Sequence, residues 1–135
     1  MAKLETIKCI GQEYLQLLRE TCQINSVAGL LRAGDTPDGR CSIADAIGVE
    51  VDVVKQWVHQ ADLVRIKGVG REYVGLLDTI GVKTLNHLRQ HTPETLYHKL
   101  EETNGHHHLV RRLPTPEMVT DWLEQANELS PTIPE

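Results

Sequence analysis

The chain repeats itself. TIKCIGQEYLQLL at residues 6 to 18 returns as RIKGVGREYVGLL at residues 65 to 77. Ile7, Lys8, Gly11, Glu13, Tyr14, Leu17 and Leu18 reappear 59 positions later as Ile66, Lys67, Gly70, Glu72, Tyr73, Leu76 and Leu77. One inserted residue shifts the register, and Ile24, Ser26, Val27 and Leu30 then match Val82, Thr84, Leu85 and Leu88. Thr36-Pro37 answers to Thr92-Pro93, and Trp57, Gln60 and Ala61 to Trp122, Gln125 and Ala126. So many matches in one order mark two copies of a unit of about 60 residues, and repetition of that kind restricts the fold before any other feature is read. The units divide as 1-63 and 64-130, with 131-135 as a tail. At 135 residues the chain has the size of one compact domain or of two small, tightly packed halves.

Each unit reads as helical. Tyr73, Val74, Leu76, Leu77 and Ile80 recur at helical spacing before a Gly81 cap. Thr84 can cap a short helix carrying Leu85 and Leu88. Thr92-Pro93-Glu94 and Thr115-Pro116-Glu117 share a start signal: a threonine cap, proline at the first helical position, and a carboxylate against the dipole. The first of these helices is expected to end at Asn104-Gly105 and the second at Ser130-Pro131. In the first unit Ser42-Ile43-Ala44-Asp45 reads as a capping-box variant, Gly48 as a stop, and Val51 to Leu63 as the next helix. No segment alternates with period two, so the fold class is all-α: a duplicated helical unit, each copy a helix-hairpin-helix followed by two further helices.

Ala44, Gly48, Val54 and Trp57 fall at helix-turn-helix positions. Two helices meeting at a glycine corner need no DNA, however, and VDVVKQWVHQ offers few base-reading side chains and an Asp52 near its start. The packing reading is favoured.

The net charge of −5 argues against a surface that coats nucleic acid everywhere. The charge is uneven. From Arg65 to Arg89 five basic residues face two acidic ones, a local balance of +3, whereas Glu94 to the C-terminus carries −5. A polyanion would meet the middle of the chain. Cys9, Cys22 and Cys41 are odd in number and lack metal-type spacing, so they are expected as small buried hydrophobes of a reducing, cytoplasmic compartment. No signal peptide is evident, and no apolar run approaches the roughly 20 residues of a membrane-spanning helix, so no membrane partner is expected.

The glycine corner carries the chemistry. Gly68 permits positive φ, Gly70 lets a ligand approach the backbone at a helix start, and Val69 can anchor the turn in the core. The free N–H groups of Gly68, Gly70 and Arg71, with the helix dipole, form a small anion seat. Lys67 and Arg71 can add charge-assisted contacts, with Arg65 and Lys83 nearby in sequence. The bland alternative is a connector that only fixes the angle between two helices. In the first copy Cys9 replaces the first glycine and Gln12 the basic residue, so at most one hairpin is competent.

The stretch LVRIKGVGREYVGLLDTIGVKTLNHL resembles the helix-hairpin-helix motif over about 26 residues. In families with this motif the hairpin holds nucleic-acid phosphates without reading bases, and that is what the resemblance implies for Arg65, Lys67, Gly68, Val69, Gly70, Arg71 and Lys83. On a wider scale, QADLVRIKGVGREYVGLL through LVRRLPTPEMVTDWLEQANEL, with TP-DGR in the first half, resembles a bacterial helix-hairpin-helix-containing domain family of unknown function (DUF4332-like). That resemblance implies the fold and transfers no catalytic residue.

Other constellations are weaker. His106, His107 and His108 are expected as an exposed loop rather than a metal site, since three consecutive histidines cannot converge on one ion from a regular element. Arg111 and Arg112 could hold a phosphate, but a salt bridge to the acidic last helix is the favoured role, and Arg40 is expected to brace the loop before Ser42. No nucleophile–base pair or metal-placing carboxylate pair is recognisable. No enzyme activity, cofactor or metal is therefore expected. Two functions remain: sequence-independent binding of a nucleic-acid backbone through the second hairpin, or a protein–protein adaptor in which the hairpins are only structural.

Overall fold

A computed structural model describes residues 3–107 and 110–133. Among them the chain is all-helical, with eight α-helices, one 3-10 turn at Leu4–Thr6, and a single isolated bridge between Lys3 and Ser26 in place of any strand. The helices are α1 (Gln12–Thr21), α2 (Val27–Ala33), α3 (Pro37–Ile47), α4 (Val51–Leu63), α5 (Arg71–Thr79), α6 (Leu85–Arg89), α7 (Pro93–His107) and α8 (Pro116–Glu128).

Hydroxyl caps start most of them. Ser26, Thr36, Thr84 and Thr115 accept the N–H three residues on, at 3.0 to 3.1 Å, and Thr92 accepts that of Thr95 at 3.2 Å. Two starts and stops differ from those expected. Ser42 lies inside α3, because Thr36-Pro37 supplies a cap and a pre-set φ one and a half turns earlier. Gly48 (φ 76°) still ends that helix. Helix α7 runs through Asn104-Gly105 to His107, so His106 and His107 are helical rather than loop. The Asn104 side chain does not stop its own helix but accepts the Val110 N–H at 3.0 Å, tying the returning chain to it.

Helix α3 packs on α4, α1 on α3 and α2 on α4; further along, α7 packs on α8, α5 on α7 and α6 on α8, while α4 also touches α6. One continuous core runs through the chain, made of Leu, Ile and Val with two buried indoles. Tyr14 leans on Trp57 with ring centroids 5.7 Å apart, and Tyr73 on Trp122 at 5.4 Å. Helix α4 buries Val54, Trp57, Val58, Gln60 and Ala61. These residues form the apolar inner face that packs on α2 and α3; of the polar side chains on this helix, Gln60 is buried, Lys55 and His59 are half-buried, and Asp52 and Gln56 are exposed. Buried Arg40 donates to the Gly34 carbonyl at 2.9 Å and braces the turn before α3.

The cysteines depart from expectation. Cys9 and Cys41 are exposed and Cys22 is half-buried. Small size made them candidates for the interior, but the tightly spaced aliphatic positions of α1 to α3 already fill it.

The segment after α8 folds back onto the junction between α4 and α5. Asp62, 1% exposed, accepts the Thr132 N–H at 2.8 Å, the Thr132 hydroxyl at 2.6 Å and Arg65 Nη1 at 2.9 Å. Arg65 Nη1 also donates to the Ser130 carbonyl at 2.9 Å, and Ile133 is buried. A buried carboxylate is tolerated only when its lone pairs are occupied, and here three donors do that. Asp62→Ala removes the acceptor for all three. It is expected to lower stability by about 2–4 kcal/mol, read as a lower urea midpoint, because Arg65 and Thr132 lose their partner in a partly desolvated site. A midpoint equal to that of wild type would show that the tail contributes nothing to the core.

Candidate functional site

The second hairpin, residues 67 to 70, lies between the end of α4 and the start of α5. Three contacts shape it. Val69 is buried in the core. The Gln125 side chain of α8 clamps the backbone of Lys67, accepting its N–H at 2.8 Å and donating to its carbonyl at 3.2 Å. Trp122 closes the corner from below. Gly68 sits at φ 95°, and a Cβ there would stand 3.1 Å from the indole nitrogen. Left-handed backbone and close approach to a buried ring both require glycine at this position.

Gly70 is different. It is the N-cap of α5 in extended conformation (φ −98°, ψ −167°), and a Cβ there would meet nothing within 4 Å. No side chain caps α5, in contrast to α2, α3, α6, α7 and α8. The first-turn N–H groups therefore have no side-chain cap at the positive end of the helix dipole. Helix α1 begins the same way at Gly11, also without a side-chain cap.

The surrounding cations are less available than their number suggests. Arg65 is held by Asp62 and Ser130, as above. Arg71 spends one guanidinium nitrogen on the Glu5 carbonyl at 2.7 Å. Lys83 pairs with Asp78 at 2.8 Å beyond the far end of α5, roughly a helix length from Gly70 at 1.5 Å per residue. Among the described residues Lys67 makes no side-chain ion pair, although Asp121 and Glu128 line the same shallow cleft. Arg89 caps the other end of α8 through the Ala126 and Leu129 carbonyls. The structure thus brings Lys67, Gly68, Val69, Gly70 and Arg71 together, leaves Arg65 beside them but engaged, and sets Lys83 apart.

The first hairpin is docked rather than open along one side. Gln60 accepts the Cys9 N–H at 2.8 Å, and Lys8 lies across α5 where Gly75 leaves room; a Cβ at 75 would stand 2.5 Å from Lys8 Cδ. Cys9 lines a cleft of about 260 Å³ with Gln56, His59, Asp78, Lys83 and His87. The groups around its sulfur desolvate it even though the residue retains exposed area, and with Asp78 adding repulsion the thiol is pushed up to about 12. Burial also pushes the Cys22 thiol up. Cys9 is a resting thiol rather than a nucleophile at neutral pH. Among the described residues no group of three His, Cys, Asp or Glu side chains could hold a metal ion. The histidine run at 106–108 falls outside the described side chains. No described helix is long and apolar enough to cross a membrane.

A family model described as Domain of unknown function (DUF4332) matches residues 8–129, and the chain belongs to that family. Neither a curated protein nor a solved structure matches it.

The two glycines are expected to separate cleanly on substitution. Gly68→Ala should cost about 1–3 kcal/mol, from positive φ and the Trp122 contact, whereas Gly70→Ala should stay within about 0.5 kcal/mol of wild type. Thermal melts of both variants decide it, and equal losses would contradict this account of the corner. Iodoacetamide should label Cys9 slowly near pH 8 and quickly only as pH approaches 12, because the reactive thiolate forms there. Fast labelling of Cys9 at pH 8, mapped by peptide mass, would contradict the desolvated cleft.

Proposed function

We propose that the chain is a non-catalytic module of two tandem helix-hairpin-helix units, and that its second hairpin binds the phosphate backbone of nucleic acid without regard to sequence. The observation that carries this reading is the bare start of α5: a glycine N-cap with open space around it and no side chain satisfying the first-turn N–H groups. Five of the other helices spend a hydroxyl on that task, while α1 and α4 share the uncapped start. An oxyanion would take the same place, aided by Lys67 and the unspent nitrogens of Arg71. The duplication is supported by the matched sequence and by the paired use of Gly11 and Gly70, Gln60 and Gln125, and the two Tyr–Trp contacts. A reducing, cytoplasmic setting fits three free cysteines. With few free cations at the hairpin, its own affinity is weak and salt-sensitive.

The test separates binding from folding. Gly70→Asp supplies the missing cap, so α5 should be as stable as in wild type or more so by about 0.5–1 kcal/mol. Its carboxylate also occupies the anion seat, so binding to a labelled duplex at about 50 mM salt should vanish. A stable Gly70→Asp variant that binds as wild type does would refute the hairpin as the contact.

A second reading is favoured by one observation. Arg65, Arg71 and Lys83 are engaged within the chain, and Asp121 and Glu128 flank Lys67. That distribution suits a protein–protein adaptor whose hairpins are structural. On this reading wild type binds no duplex, and a stoichiometric protein partner is retained by Gly70→Asp.

A further inference from the structure

Most arginines here are anchored: Arg19 to Glu5, Arg40 to the Gly34 carbonyl, Arg65 to Asp62, Arg71 to the Glu5 carbonyl and Arg89 to the end of α8. Among the described residues Arg32 on α2 has no such anchor, and neither have the adjacent Arg111 and Arg112. Both are exposed, and neither guanidinium forms an ion pair or hydrogen bond among the described residues, although the acidic α8 begins four residues after Arg112. The salt bridge to that helix expected from sequence is not formed.

Their backbone is held firmly. Val110 on one side is buried with its N–H on Asn104 Oδ1, Pro114 on the other is buried, and Leu113 packs against the core. The Arg112 carbonyl accepts the Tyr73 hydroxyl at 2.9 Å. Tyr73 belongs to the first turn of α5, and its ring lies against Trp122, whose indole nitrogen faces Gly68. Two aromatic rings therefore join the arginine ledge to the hairpin corner. Helical side chains lean toward the N-terminus, which places the Tyr73 hydroxyl toward the hairpin end of α5.

We infer that Arg111 and Arg112 form a second phosphate contact beside the hairpin, making the surface a reader of consecutive phosphates rather than of a single anion. This rests on the nucleic-acid reading above. A guanidinium fork meets phosphate oxygens in two parallel hydrogen bonds, and two such forks on a fixed ledge bring little ordering cost. One weak seat next to a second contact on the same rigid base gains affinity only for a ligand that spans both, which a nucleic-acid strand does and free phosphate does not.

The experiment compares two double variants by fluorescence anisotropy of a labelled duplex, between about 50 and 200 mM salt. Arg111→Ala with Arg112→Ala removes the ledge; Arg32→Ala with Lys55→Ala removes the same charge from α2 and α4, away from it. The ledge variant should bind about tenfold or more weakly, and its slope of log affinity against log salt should shrink by about 2. The charge-matched variant should keep nearly the wild-type slope. Lysines at 111 and 112 (Arg111→Lys with Arg112→Lys) should recover the salt slope but only part of the affinity. Equal behaviour of the two alanine doubles overturns the inference while leaving wild-type binding, and so the hairpin reading, in place. Absence of binding by wild type overturns both. Melts of each variant, expected within a few degrees of wild type for surface changes, exclude unfolding as the cause.

Discussion

The contact on which the candidate site depends is the buried indole of Trp122 against Gly68. The ring, 1% exposed, lies under the second hairpin, where only a residue without Cβ can pass at positive φ. It also takes the Tyr73 ring on its flank, and Tyr73 in turn fixes the Arg112 carbonyl. Gln125, three residues on from Trp122 and on the same face of α8, holds both polar groups of the Lys67 backbone. One helix face thus sets the hairpin's height, its rotation and its distance from the arginine ledge. Truncating a buried tryptophan typically costs about 3–5 kcal/mol. At this position it would also release the corner that gives α5 its open start.

That dependence explains a division of labour within one short motif. Val69 and Gly68 serve the fold: the valine is buried and the glycine admits the indole. A Cβ at Gly70 would meet nothing within 4 Å, and no side chain caps the α5 amides. The basic residues divide likewise. Arg65 secures the returning tail through Asp62, and Arg71 reaches back to the Glu5 carbonyl. The strength of any anion contact therefore comes first from oriented backbone dipoles and only second from net charge, which is how a chain of net charge −5 could approach a polyanion at one place. The nearby carboxylates of α8 limit that approach to a small area.

Much of the fold was legible because its punctuation is chemical. Helix α4 begins at Val51 and ends at Leu63 as read, since Gly48 and the Ile66 hairpin bound it. Threonine–proline pairs marked the starts of α7 and α8, and Thr36-Pro37 outcompeted the Ser42 signal that local reading preferred. Gly105 misled in the other direction, because a glycine stops a helix only where the chain needs a left-handed turn, and α7 continues past it. The site was legible in its glycines and not in its charges. Sequence counts basic residues, whereas availability depends on partners distant in the chain: Ser130 for Arg65, 65 residues away, and Glu5 for Arg71, 66 residues away. The same limit hid the freedom of Arg111 and Arg112, and it hid Trp122 as the reason for Gly68.

The central claim is that the start of α5, rather than its counterpart at α1, is where a phosphate backbone lands. Backbone amide shifts of isotope-labelled protein, followed by NMR as an unlabelled duplex is added at low salt, test this residue by residue. The account predicts shifts concentrated at Lys67 to Tyr73 and at Arg111 and Arg112, reversed by added salt, with the Cys9 to Glu13 amides unmoved. Shifts centred on the first hairpin, or none at any residue, would contradict it.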